Sequence, residues 1–498
     1  MWEEIFQGLN LILGWQSILG IAFGVTLGIT VGAIPGLTGN MAVAILLPIT
    51  FYMPPWVSIP MLVGIHKGSI YGGSISAILL GVPGTPAAAA TMMDGFALAK
   101  QGKGKKALKI ALYASVMADT LSDLVLIFVC VPLASVALKF GPPEYTALIL
   151  FALTIVAAIS GDSLIKGLAS GALGLLVATV GLDPIMANPR FDFGLVELST
   201  GFSLVPVIIG VLALSQMLVQ AESSFRKSSE SFLPDSGNPD DSNISRAEFR
   251  GCLRSIFRGA AIGTAIGALP GIGTSPSAFL SYSQARKGSK NPEMFGKGAL
   301  EGVAAAEAGN NAVLGANLIP LLSLGIPGDV NAAILLGAFV IHGMTPGPML
   351  IKEHSPFIYA LFGGLLLANI ANIIIGYQLL RVATLITRIS RSILIPTVLI
   401  LCLTGSYLFN KSLFDIWVTL GFGIVGYFMI KIGFSPVAFV IAFILEPLFE
   451  LSFRQSMLIS HGDIYVFFTR PLSVTFIILA IVAALGIIRQ RRRILQKE

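Results

Sequence analysis

The chain has 498 residues, of which 55% are apolar and 12% charged, and its mean hydropathy is +0.84. A soluble domain carries roughly 25% charged residues, so water is not its principal solvent. The net charge of +6 does not indicate nucleic acid, because Lys and Arg gather at the ends of apolar runs, as orientation in a bilayer requires.

Backbone in a bilayer must satisfy its own hydrogen bonds, and strand-length alternation is absent, so the composition implies an all-α integral membrane protein. At ~20 apolar residues per crossing, about twelve transmembrane helices are expected. The three cysteines, Cys130, Cys252 and Cys402, are far apart and suggest neither disulfides nor a thiolate metal cluster. Met1 to Asn10 carries Glu3 and Glu4 instead of a basic leader, so the first helix is expected to be retained.

In chain order the apolar runs lie near Gly14–Val31, Met41–Val63, Ile110–Leu138, Tyr145–Ile159, Leu164–Val180 and Phe202–Val219. They make a first membrane half over residues 1–221. A polar linker occupies 222–245, rich in Ser, Asp, Pro and Asn. A second half over 246–498 follows, with runs at Gly259–Leu269, Val303–Val340, Phe357–Ile375, Ile393–Leu408, Ile416–Met429, Pro436–Leu448 and Leu472–Ile488, then a basic tail.

Four basic clusters set the expected orientation: Lys100 to Lys109, Arg246 to Arg258, Arg381 to Arg391, and Arg489 with Arg491 to Arg493. All are expected to be cytoplasmic, the C-terminus included. Even numbers of spans separate Lys100 from Arg246 and Arg391 from the tail, which agrees. Arg246, Arg250, Arg254 and Arg258 recur every four residues opposite Phe249, Leu253 and Phe257. That pattern describes either an amphipathic helix at the anionic inner surface or a charged helix end. No Lys or Arg precedes Lys67, which predicts an outside start and hence opposite orientations for the two Pro-Gly stripes.

Gly24 to Gly39 (GVTLGITVGAIPGLTG) and Gly259 to Thr274 (GAAIGTAIGALPGIGT) align at an offset of 235 with six identities. The expectation is a two-fold internal repeat, inverted in the membrane. In each copy glycines spaced by four, Gly20, Gly24, Gly28 and Gly32 or Gly259, Gly263 and Gly267, bare one helix face to close backbone approach. A Pro-Gly pair ends each stripe, Pro35-Gly36 and Pro270-Gly271, and a second follows in each half, GVPGTP from Gly81 and GIPGD from Gly325. Pro lacks the amide hydrogen and Gly permits positive φ, so four helices should be broken or re-entrant at membrane depth. Such breaks need a polar cavity.

Freed amides at the new N-termini suit a carboxylate, and freed carbonyls suit Na+. The candidate substrate-binding positions are Pro35, Gly36, Thr38, Gly39, Asn40, Gly73, Ser74 and Thr85 in the first half. Their counterparts in the second are Pro270, Gly271, Gly273, Thr274, Ser275, Asn310, Asn311, Pro327 and Gly328; Ser76 is a further polar neighbour. Ion-coupling candidates are Asp119 and Asp123, one turn apart, with Glu307 and Asp329 beside the breaks. Glu446 and Glu450 rank lower, and Asp162 with Lys166 reads as a short salt bridge. A lone Ser or Thr usually only bridges helices; their gathering around four breaks favours function.

At these residues the chain resembles the TctA family, the large membrane subunit of the tripartite tricarboxylate transporters. The matching stretches are GAIPGLTGN (Gly32 to Asn40), YGGSISAILLGVPGTPAAAATMMDG (Tyr71 to Gly95), GALPGIGT (Gly267 to Thr274) and EAGNNAVLGANLIPLLSLGIPGD (Glu307 to Asp329). The resemblance implies a bacterial inner-membrane permease working with a small membrane subunit (TctB-like) and a periplasmic solute-binding protein (TctC-like). It would take up a tricarboxylate or dicarboxylate coupled to Na+ or H+, without another cofactor. Walker A, HExxH and GxGD sequences are all lacking, so neither a built-in ATPase of that kind nor a membrane protease is expected. A carboxylate-selective channel with re-entrant filter segments is the alternative.

Overall fold

The computed structural model describes residues 2–159, 163–223, 239–381, 383 and 391–495. Asp162, Arg388 and linker residues 224–238 lie outside the described residues, as do the side chains of Arg391 and of the tail arginines. The described chain is helical apart from turns and one antiparallel pair of two-residue strands, Gly181–Leu182 with Pro189–Arg190.

Among the described residues six helices are long and apolar enough to cross a membrane: Trp15–Ala33, Gly104–Ala137, Leu204–Glu222, Ser355–Leu379, Leu413–Lys431 and Pro436–Ile459. Shorter apolar helices include Gly39–Thr50 and Val330–Ile341. These two have 12 residues each, a rise of about 18 Å, which falls short of the hydrocarbon core.

The order of elements recurs. A first stripe helix, Trp15–Ala33, breaks and resumes as Gly39–Thr50; a first core helix, Pro55–Leu80, breaks and resumes as Ala88–Lys100. In the second half the stripe helix Arg246–Gly267 resumes as Thr274–Gly288. The core helix Leu300–Ala316 continues into Leu318–Leu324 and resumes as Val330–Ile341. Each stripe helix packs on the core helix of its own half. The long helix closing each set crosses over: Gly104–Ala137 lies on the second core helix and Ser355–Leu379 on the first.

The glycine stripes explain the closeness of that packing. A Cβ on Gly24, Gly28 or Gly32 would stand 2.2 Å from the carbonyl oxygen of Met61, Ile65 or Ser69. On Gly259, Gly263 or Gly267 it would meet Ala305, Gly309 or Val313 oxygen at 2.9, 2.7 or 2.8 Å. Both stripes therefore rest on the carbonyls of three successive turns of a core helix. With lipid as apolar as the side chains, such close packing holds the pair together in place of a hydrophobic drive.

The core helices are enclosed by protein. Every residue from Val57 to Ile78 is buried, and so is every residue from Gly302 to Ala316. An apolar helix without a polar face belongs in such an interior.

Three readings of the sequence are refined. The run Met41–Val63 is two helices, because Pro54 caps a new one at Pro55 after the turn at Phe51–Met53. The arginine-rich segment from Arg246 is continuous with the second stripe helix, opened by a capping box of Ser245 and Glu248. The helices Trp2–Ile12, Ala88–Lys100 and Thr274–Gly288 have no counterpart among the apolar runs.

Candidate functional site

At the first break Gly36 has φ +96°, and its carbonyl accepts a hydrogen bond from the Gln220 side-chain amide. Thr38 then caps the Gly39–Thr50 helix by accepting from the Met41 amide at 3.3 Å. Gly39 is pressed on the first core helix, its absent Cβ 1.8 Å from Ser69 Oγ and 4.0 Å from His66 Nδ1. Asn40 Oδ1 accepts from Asn331 Nδ2, which ties the first break to the helix after the fourth.

The second break folds back on its own core helix. The Gly84 amide donates to Gly73 O at 3.2 Å, Thr85 Oγ1 accepts from the Ala88 amide at 3.3 Å, and Ser76 donates to Gly73 O at 3.2 Å.

The third and fourth breaks touch. Gly271, with φ +87°, donates its amide to Gly328 O at 2.7 Å; Pro270 and Pro327 precede these two glycines. Asp329 caps Val330–Ile341 by accepting from the Ala332 amide at 2.8 Å. A carboxylate of the protein itself thus occupies that N-terminus. The Thr274–Gly288 helix differs: Gly273 at its N-cap, φ +73°, provides no side-chain cap, and nothing lies within 4 Å of where its Cβ would be. Its first residues, Thr274 and Ser275, are half-buried. With no side-chain cap, the Thr274 and Ser275 amides are the first-turn donors available to an anion there, Pro276 having none.

Deeper in, Glu307 lies at a junction of four helices with no exposed surface. One carboxylate oxygen accepts from Ser74 Oγ at 2.5 Å and from Thr91 Oγ1; the other accepts from Ser115 Oγ at 2.8 Å and Asn311 Nδ2 at 3.2 Å. Asn310, also on this helix, is fully buried, and among the described residues neither of its side-chain polar atoms has a partner.

One turn beyond Ser115 on the same helix stands a second knot. Lys67 Nζ lies 2.9 Å from Asp119 Oδ2 and 2.7 Å from Asp123 Oδ2, and donates to Asn369 Oδ1 at 3.0 Å. Asn369 Nδ2 in turn donates to Asp123 Oδ2 at 2.7 Å. Lys67, Asp119 and Asp123 are each at most 1% exposed. Charges this deep are tolerated when paired, and in membrane proteins they mark function or internal pairing.

The expected site residues thus form three connected groups: the linked breaks, the Glu307 junction and the aspartate pair. Ser74, adjacent to Gly73, joins the second break to Glu307; Ser115 joins Glu307 to Asp119. Glu450 lies apart, gripped by Arg190 at 2.7 and 3.0 Å and by Arg454 at 3.0 Å. Arg190 and Glu450, with Glu446, line a cavity of about 540 Å³ whose wall includes Gly325 and Pro346. Lys166 donates to Ile432 O at 2.6 Å.

Sequence reasoning missed Lys67, His66, Thr91, Ser115, Gln220, Asn331 and Asn369. A signal existed for the first two: His66 and Lys67 are the only titratable side chains besides Tyr71 in a 26-residue helix, and intramembrane charge is a functional pointer by itself. The hydroxyl and amide partners carry no such mark.

The model of the Tripartite tricarboxylate transporter TctA family matches residues 18–441 of the chain. Two Agrobacterium vitis proteins are similar to it. One, described as an uncharacterized 52.8 kDa protein in the TAR-I ttuC' 3'region, is 36% identical over 495 residues, covering 97% of each chain. The other, an uncharacterized protein in the TAR-II ttuC' 3'region, is 36% identical over 234 residues, 46% of this chain and 97% of its own. No solved structure matches.

Proposed function

Because this chain belongs to the tripartite tricarboxylate transporter TctA family, we propose that it is the permease subunit of a binding-protein-dependent secondary transporter. It takes up a tricarboxylate or dicarboxylate, coupled to Na+ or H+, across a bacterial inner membrane. A periplasmic solute-binding protein delivers the substrate, and a small membrane subunit completes the complex. The reading includes about twelve spans in two inverted halves, residues 1–221 and 246–498, joined by the 222–245 linker, and its cytoplasmic C-terminus rests on the basic tail, Arg489 with Arg491 to Arg493.

The observation that carries this reading is the linkage of the breaks, Asn40 to Asn331 across the two halves and Gly271 to Gly328 within the second. Paired broken helices that meet across two related halves are how secondary transporters build a midplane site. The uncapped amides at Thr274 and Ser275 attract a carboxylate; carbonyls left free at the breaks are the positions for Na+. Chemical bond-making has no part in such a site, and the chain is not proposed as an enzyme.

The test is uptake of a labelled carboxylate panel into proteoliposomes holding this chain with its small subunit and binding protein. Gradient-driven accumulation is expected, and uptake that only equilibrates under every gradient would identify a channel instead. In the same vesicles Gly36→Val and Gly271→Val should abolish uptake with insertion intact, since a β-branched residue opposes φ near +90°. Normal uptake by both removes the site from the breaks.

A further inference from the structure

The two aspartates expected to face a coupling cation already face one that belongs to the chain. We propose that Lys67 is a built-in counter-cation, and that Asp119 carries a single exchangeable proton as the coupling ion of transport. The inference rests on the transporter reading and names its ion.

Lys67, Asp119 and Asp123 bring two carboxylates and one ammonium into a site from which solvent is excluded. With every group charged, the triad holds one uncompensated negative charge, a costly state in a low-dielectric interior. The two acids are held differently. Asp123 accepts from both Lys67 and Asn369, each at 2.7 Å. Asp119 has Lys67 beside it at 2.9 Å, and among the described residues no other group donates to either of its oxygens. Asp123 therefore keeps the ammonium as its partner, while Asp119 is where compensating positive charge is missing.

A metal cation there would share the carboxylate with the Lys67 ammonium at close quarters, where like charges repel. A proton adds no such repulsion, needs no ring of oxygens, and converts Asp119 into a neutral acid beside a balanced Lys67–Asp123 pair. The cycle conserves charge: the Asp119 carboxylate takes H+ from one side of the membrane, becomes the carboxylic acid, and releases H+ to the other. Lys67 stays protonated throughout.

The surrounding elements offer few competitors. The first core helix adds His66 and Tyr71, the Ala88–Lys100 helix adds Asp94, and the second core helix adds Glu307, all buried, with Glu301 half-buried in its first turn and held by Ser255 and Ser289. Asp94 is engaged by Tyr282 and the amides of Gly296, Gly298 and Ala299, and Glu307 by its four donors. Ser355–Leu379 contributes the amides of Asn369 and Asn372 as its buried polar groups. Lys106, paired with Glu248 at 2.9 Å, is 13 residues from Asp119, about 20 Å along the helix. Tyr113 lies on the same helix, six residues before Asp119.

The place is connected to the substrate path. Asp119 follows Ser115 by one turn, Ser115 binds Glu307, and Glu307 binds Ser74 beside the second break. Lys67 is on the same core helix as Ser74, so a change in the triad's charge acts on an element that bears both.

The experiment compares wild type, Asp119→Asn and Asp119→Glu in proteoliposomes with the full complex, the membrane potential clamped, and pH and Na+ gradients imposed separately. Carboxylate counterflow reports folding and substrate binding without a driving ion. Wild type should accumulate substrate under a pH gradient alone, about tenfold per proton carried for each pH unit. Asp119→Asn should retain counterflow but accumulate nothing above equilibration, and Asp119→Glu should restore accumulation with a displaced pH profile. Accumulation by wild type under a Na+ gradient only, or proton-driven accumulation by Asp119→Asn, overturns the assignment. Loss of counterflow in both variants gives Asp119 a packing role and overturns it too. A wild type without counterflow or accumulation of any carboxylate refutes the transporter reading itself.

Discussion

Adding one methyl group to a stripe glycine tests the packing on which the architecture depends, and the two stripes should not respond equally. In Gly28→Ala the new Cβ would lie 2.2 Å from Ile65 O, about 1.2 Å short of the 3.4 Å of ordinary contact. The obstacle is backbone of a core helix buried on every side, so no rotamer change relieves it; the helices must part, and the neighbouring contacts at Gly24 and Gly32 loosen with them. Overpacking costs about 1–3 kcal/mol, and a rigid obstacle belongs at the upper end. In Gly263→Ala the nearest atoms, Ala312 Cβ and Gly309 O, lie at 2.7 Å, a shortfall of about 0.7 Å. A cost of about 1–2 kcal/mol is expected there, offset in part by the helix preference for Ala over Gly of about 1 kcal/mol. Gly251→Ala is the control: it lies on the second stripe helix, exposed, with nothing within 4 Å, and should stabilise by about 0.8–1 kcal/mol. Denaturant titration of the purified proteins in detergent gives the three values. A Gly28→Ala variant as stable as wild type, or less perturbed than Gly263→Ala, would refute the claim that the stripes seat on core-helix carbonyls.

Two further outcomes follow from named contacts. A double-mutant cycle of Asn40→Ala and Asn331→Ala, read by unfolding, should return a coupling of about 0.5–1.5 kcal/mol, and none if the first and fourth breaks are not held together. Outside the membrane-spanning helices, the Met186 amide, then Arg454 and the Ile185 amide, hold the Asp183 carboxyl well below the usual carboxylate range. Its folded value lies below its unfolded one, so its contribution to stability is present above about pH 4 and lost as pH falls further. Asp183→Asn should flatten that part of the acid-stability profile, and an unchanged profile would deny the carboxylate this role.

What the sequence disclosed and what it withheld divide along a physical line. Pro35-Gly36 and Pro270-Gly271 were legible because a helix cannot run through a residue without an amide hydrogen followed by one at positive φ; backbone rules need no knowledge of neighbours. The glycine stripes were legible for the same reason: a bared face every four residues has one geometric use. The Glu307 junction was not. Glu307 stood out as a buried acid, but Ser74, Thr91 and Ser115 that donate to it are common bridging residues drawn from three other helices, and long-range proximity leaves no local trace. Lys67 is the instructive intermediate. Its neighbours in sequence read as an ordinary apolar helix, so its charge passed for the first topological lysine of the chain. Its position in the helix argued otherwise, because a cation near the middle of a 26-residue helix with no other Lys, Arg, Asp or Glu has no interface to reach and must find an anion inside. That reasoning pairs it with Asp119 and Asp123, the one acidic pair at helical spacing in the next long run, without any coordinates. The same inference should transfer to other multi-spanning chains: a mid-helix lysine and a mid-helix pair of carboxylates are better read together than apart, since each makes the burial of the other affordable.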